Sequence, residues 1–169
     1  MSDSFDPNIP PAGPTDPHIQ GEFLGVVGIT EQPTIGKANL VVNRAKPFDI
    51  EVKWRVFGNL VPLWLTALSV RSKNWIVTAY AESQGPGDEK TLGRVEVPVG
   101  GPFFSDSEEY SAKLTVPANT LSEEDPGIDT QSGVYRIVVT TFLDSDLGAV
   151  GYDMMGYAEG PIIKVEDPT

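Results

Sequence analysis

Apolar and polar residues alternate with a period of two along most of this chain. The clearest run is Phe48–Phe57. There, Phe48, Ile50, Val52, Trp54 and Val56 share one face, while Asp49, Glu51, Lys53 and Arg55 share the other. That period belongs to a β-strand with one buried and one solvated side. Shorter runs of strand character follow at Glu22–Thr30, Lys37–Asn43, Val61–Arg71, Trp75–Glu82, Thr91–Val99, Tyr110–Val116, Val134–Leu143 and Tyr157–Val165. Turn residues separate them. Gly58-Asn59 makes the strands at 48–57 and 61–71 hairpin neighbours, and the loop 83–90 joins a second pair. No segment sustains a 3.6-residue period between caps, and Leu121–Asp129 holds one helical turn at most. The pattern predicts an all-β, two-sheet antiparallel Greek-key sandwich of about 8–10 strands with little or no helix.

Two of these strands lack a charged face. The strand at 134–143 places Arg136, Val138, Thr140 and Phe142 opposite Tyr135, Ile137, Val139 and Thr141. The strand at 61–71 places Leu63, Leu65, Ala67 and Ser69 opposite Trp64, Thr66, Leu68 and Val70. Such a face wants cover, either from the chain's own segment 22–43 or from another molecule. Leu63, Leu65, Val138 and Phe142 are therefore partner-binding candidates. Phe103 and Phe104, in the loop Gly100-Gly-Pro-Phe-Phe-Ser105, are also candidates, because aromatic side chains in such loops anchor partners. Met154 and Met155, between Tyr152 and Tyr157, offer an adaptable contact surface.

Composition divides the chain. Residues 1–20 carry five prolines and three aspartates with almost no apolar content, which predicts a disordered N-terminal arm before a single domain at 21–169. The 169 residues suffice for a hydrophobic core without staples, and the chain has no cysteine to form one. Its net charge of −12 opposes nucleic-acid binding. No leader pattern and no run long enough to cross a membrane are visible, so the default expectation is a cytoplasmic protein without membrane insertion.

Residues 110–143 resemble the E-to-F region of an immunoglobulin-like domain. Tyr110-Ser-Ala-Lys-Leu-Thr-Val116 resembles strand E, and Gln131-Ser-Gly-Val-Tyr-Arg-Ile137 resembles the corner that enters strand F. The resemblance implies that Tyr135 is the corner tyrosine, bonded through its hydroxyl to backbone upstream. It also implies that Ile137 replaces a disulfide cysteine, with Val52 or Trp54 near the other cysteine's position. Phe48–Phe57 then resembles strand B, Val61–Arg71 strand C with Trp64 as core tryptophan, and Tyr157–Val165 strand G. The fold alone implies no function.

Little in the sequence suggests catalysis. The lone histidine, His18, lies in the arm, which excludes Ser–His and Cys–His nucleophiles and histidine-based metal sites. No phosphate-cradling or nucleophile-elbow motif occurs. Carboxylates remain as site-builders. Asp144 and Asp146, with Asp106 and Glu108, are the candidate Ca²⁺ ligands. Asp144-Ser-Asp146 begins like a calcium loop, but its twelfth position is Met155. Trp75 and the tyrosines offer stacking surfaces for a sugar, and a carboxylate pair would serve a hydrolase if it spanned a cleft. The expectation is a non-catalytic, cofactor-free interaction or structural module that binds protein, itself included. A carbohydrate or calcium binder is the alternative, and a carboxylate-dependent hydrolase the remote one.

Overall fold

The computed structural model describes residues 3–31, 40–71, 73–125, 127, 131–146 and 152–167. Two sheets face each other. Their strands are β1 (Asp3–Asp6), β2 (Gln20–Phe23), β3 (Gly28–Glu31), β4 (Val41–Asn43), β5 (Phe48–Phe57), β6 (Asn74–Ser83), β7 (Lys90–Pro98), β8 (Ser107–Val116), β9 (Val134–Leu143) and β10 (Met154–Glu166). Among the described residues one helix, α1 (Val61–Ser69), joins β5 to β6.

The alternation read from the sequence sets the second sheet. β8 pairs antiparallel with the whole of β5, from Phe48↔Val116 to Phe57↔Ser107. β2 pairs with the C-terminal half of β5 and β3 with its N-terminal half, so both occupy the other side of β5. They form one edge strand interrupted at 24–27, where Gly25 takes a positive φ of 75°. The single run expected at Glu22–Thr30 is therefore split. The outward faces of β5 and β8 are charged and paired: Lys113 Nζ reaches Asp49 at 3.0 Å and Glu51 at 3.6 Å, and Arg55 pairs with Glu22.

The first sheet runs β1–β10–β9–β6–β7, with β4 also on β10. β9 covers β10 from Met154 to Lys164, so β1 (against 155–158) and β4 (against 164–166) share the opposite side of β10. β4 is the one parallel neighbour among the described strands; the other pairings are antiparallel. Of the run expected at Lys37–Asn43, residues 37–39 lie outside the described ones, and the rest ends in β4. Segment 22–43, as far as it is described, thus lies in the sheets at their edges rather than across the face of β9.

The inward residues of the two sheets interleave as period-two patterning requires. Trp54, Val56, Ile50 and Val52 of β5 meet Trp75, Val77, Ala79 and Ala81 of β6 and Tyr135, Ile137 and Val139 of β9, all buried. Trp54 stacks on Tyr110 at 5.6 Å, and Trp75 meets Trp64 at 6.4 Å.

Two expectations differ from what is observed. Val61–Arg71 is not a strand or a hairpin partner of 48–57; Val61–Ser69 is helical. Its run is apolar at both periods, so the pattern alone is ambiguous. Pro62, in the first helical turn where its missing N–H costs nothing, decides it, and Val61, Leu65 and Leu68 then share the buried side. Residues 3–20, read from composition as a disordered arm, contain β1 and an antiparallel bridge between Ile9 and Ile19. Phe5 and Ile19 are buried with the core. Average composition hides isolated apolar knobs of this kind.

Candidate functional site

The segments 7–19, 58–71, 99–106 and 144–146 leave their strands at one end of the sandwich. Phe57 pairs with Gln20 and Ser107, while Phe142 pairs with Ile76 and with Met155, itself opposite Asp6. Hydrogen bonds tie these segments together. Leu60 N donates to the His18 carbonyl at 3.2 Å, and His18 N donates to Asn59 Oδ1 at 2.9 Å. Asn59 Nδ2 donates to the Asp16 carbonyl at 2.9 Å, and Ser69 Oγ to the Gly100 carbonyl at 3.1 Å.

Between the arm and α1 lies a hollow of about 370 Å³, lined by Pro7, Ile9, Ile19, Leu60, Leu63, Trp64, Ala67 and Tyr152. None of the described lining residues is charged. Leu63 is 73% exposed, Tyr152 55% and Ile9 48%. Trp64 is fixed by its indole N–H, which donates to the Tyr152 carbonyl at 2.9 Å. The helix explains the arrangement: Val61, Leu65 and Leu68 bury one side, which turns Leu63 and Ala67 outward. The hollow has the size and apolar character of a site for a bulky apolar group.

A second hollow, of about 540 Å³, lies on the outer face of the first sheet. Tyr80, Glu82, Glu89, Lys90, Thr91, Val138, Thr140, Met155 and Tyr157 contribute to it. Here Tyr80 stands directly opposite Val138 on β9, and Tyr157 opposite Thr140. Burial, with Glu159 and Glu82 nearby, raises the pKa of Tyr157. The outer row expected on β9 is the observed one, but its neighbours are β6 and β10.

The partner-binding candidates fare unevenly. Leu63 lines the apolar hollow, and Val138 and Met155 line the sheet-face hollow. Val138 itself is only 3% exposed, walled in by its neighbours. Phe142 is half-buried in the same outer row, opposite Ile76 and Met155. Phe103 is exposed at the tip of its loop, while Phe104 packs against the core. Leu65 and Met154 are corrections: both are fully buried and present nothing to a partner. Leu65 faces inward because the segment is helical. Met154 does so because it takes the inward phase of β10, which leaves the outward one to Met155. Trp75, offered as a stacking surface for a sugar, is likewise fully buried. No sequence signal joins Ile9, Ile19 or Tyr152 to Leu63, since only the tertiary fold brings them together.

The carboxylates of Asp144, Asp146 and Glu108 are committed locally. Asp144 Oδ1 accepts the Asp146 backbone N–H at 2.8 Å, and the Asp146 carboxylate pairs with Lys73. That pairing holds the Asp146 carboxyl below its ordinary pKa. Glu108 Oε1 accepts the Ser105 N–H at 2.7 Å, and the Asp106 carbonyl accepts from Gly58 N at 2.8 Å. Among the described residues no group of three or more His, Asp or Glu side chains is arranged to hold a metal ion.

No known family model matches the chain, and no curated protein matches it in sequence. Among the described residues, no helix is long and apolar enough to cross a membrane.

Proposed function

We propose that this chain is a non-catalytic protein-interaction module on an immunoglobulin-like sandwich, and that it takes a partner's apolar side chain into the hollow between the arm and α1. The strand order supports the fold reading. On this reading β5, β6, β8, β9 and β10 are strands B, C, E, F and G, with β7 beyond C and β4 parallel to G. Strand C is then β6, and the core tryptophan is Trp75 rather than Trp64. Tyr135 is fully buried and donates its hydroxyl to the Ser122 carbonyl at 3.1 Å, as a corner tyrosine does.

One observation carries the functional reading. Leu63, Ile9 and Tyr152 are exposed around a concave, uncharged surface on a chain whose net charge is −12. Buried aromatic and aliphatic anchors in such pockets dominate protein interfaces. The test is paired capture with the whole chain and its Leu63→Asp variant, followed by titration of the purified protein that is captured. Binding by the wild type and at least tenfold weaker binding by the variant supports the reading; equal binding by both overturns it.

The sheet-face hollow favours a second reading, a carbohydrate binder. Tyr80 and Tyr157 offer ring faces, while Glu82, Glu89 and Thr91 offer hydrogen-bonding groups beside them. A glycan array probed with wild type and Tyr80→Ala separates the two readings. A sugar bound by the first and lost by the second would favour this face.

A further inference from the structure

The N-terminal strand is held by one side chain in a purpose-shaped slot. The Phe5 ring lies between Gly21 of β2 and Gly156 of β10, one glycine from each sheet, and meets Phe23 with ring centroids 4.9 Å apart. A Cβ on either glycine would overlap the Phe5 ring. Neither wall of the slot comes from the strand it holds, so the slot is complete without β1. Beside it, the edge of β10 at 155–158 takes the four described residues of β1. Backbone ladder bonds of this kind are blind to which copy of a chain supplies the strand.

We propose that residues 3–9 exchange between two copies of the chain, each Phe5 filling the other copy's Gly21–Gly156 slot. The occupant is fixed by the structure itself, since the seated sequence is this one. Residues 10–17 form the hinge. They carry Pro10, Pro11, Pro14 and Pro17, and most of them are exposed. Their closed form is a turn with one backbone–backbone bond, from Asp16 N to the Gly13 carbonyl at 3.2 Å, and the tie from Asn59 Nδ2 to the Asp16 carbonyl at 2.9 Å sits at its C-terminal end. Proline-rich chain prefers extension, and eight such residues span about 25 Å, enough to reach a neighbouring molecule. Exchange keeps each contact of the seated arm, including the Ile9–Ile19 bridge, and so costs little beyond association. Slot and hinge carry this exchange, whatever the apolar hollow binds.

The absence of cysteine allows a direct test. Ser4 and Tyr157 are register partners in the β1–β10 ladder, at a separation a disulfide can bridge. Ser4→Cys and Tyr157→Cys chains are mixed at high concentration, equilibrated under reduction and then oxidised. Peptide mapping by mass spectrometry reads the links. Exchange predicts disulfides between chains that join position 4 to position 157. They should greatly exceed links from position 4 to position 111, formed with a Ser111→Cys control on the other sheet. Adding Phe5→Ala to the Ser4→Cys chain should abolish that excess. The double variant Ser4→Cys/Tyr157→Cys reports the register. If it closes within one chain while the mixed single variants show no excess, the arm stays with its own copy and the proposal is overturned. If it forms no disulfide between positions 4 and 157 at all, β1 is not seated and the proposal falls as well. Leu63→Asp in both chains leaves the 4-to-157 link intact if only the partner-binding reading fails.

Discussion

Trp54 on β5 and Trp75 on β6 meet edge to face across the two sheets, with ring centroids 5.7 Å apart. Both are fully buried, and Tyr110 packs against each at 5.6 Å. The cluster joins the sheets at the end where the loops gather, so its loss loosens the frame of the hollow beside α1. Trp75→Ala should cost about 3–5 kcal/mol, a large share of the roughly 5–15 kcal/mol that holds a domain folded. Urea unfolding would show a lower midpoint with an unchanged slope. A loss below about 1 kcal/mol would mean that Trp75 does not occupy the core.

Leu63 and Leu65 separate helix from strand. In a strand, residues two apart share a face and respond alike to truncation. In α1 they point apart: Leu65 is fully buried and Leu63 is 73% exposed. Leu65→Ala should cost about 2–5 kcal/mol, and Leu63→Ala should stay within about 0.5 kcal/mol of wild type. Comparable losses from the two, read by thermal unfolding, would contradict the helix.

The charged and apolar faces of β5 are written residue by residue in the chain, and polar loops flanking a long β-branched run bound β9 at Val134 and Leu143. The helix is hidden, since Val61-Pro-Leu-Trp-Leu-Thr-Ala-Leu satisfies both periods and only Pro62 tips it. The arm is hidden because one ring, Phe5, holds it through glycines 16 and 151 residues away along the chain. Leu63 is readable as an apolar residue wanting a partner. Its neighbours Ile9 and Tyr152 are not, because no local pattern brings 9, 63 and 152 together.

Tyr110 should set an alkaline limit. Burial pushes its phenol from 10.0 up to about 12, and the hydroxyl donates to the Val99 carbonyl at 2.9 Å. The folded state therefore keeps a proton that the unfolded chain releases. This contribution is fully present below pH 10 and is lost as pH rises from 10 through about 12, by roughly 3 kcal/mol at most. Tyr110→Phe should cost about 1 kcal/mol at neutral pH, because the Val99 carbonyl loses its donor. The variant should also lose less stability than wild type between neutral pH and about pH 11. Some alkaline slope should persist, since burial raises Tyr135 too. Parallel wild-type and variant curves across that window would rule out the buried phenol as their cause.

Asp146 should behave as half of an ion pair and not as a calcium ligand. Lys73 occupies its carboxylate, with Arg71 adding positive charge, and both hold its pKa below 3.8. The pairing therefore favours the folded chain above pH 3.8, and that contribution is lost as pH falls through the lower folded value. Because the pair is open to solvent, its effect should be small and should weaken with salt. A divalent cation arriving here would have to displace Lys73 and would find Asp144 already accepting the Asp146 N–H. Millimolar Ca²⁺ should therefore leave the melting temperature of the wild type unchanged. Lys73→Ala removes the competing ammonium, so a calcium-dependent rise confined to that variant would mark the lysine as what excludes the ion. A rise in the wild type itself would restore Asp144 and Asp146 as ligands.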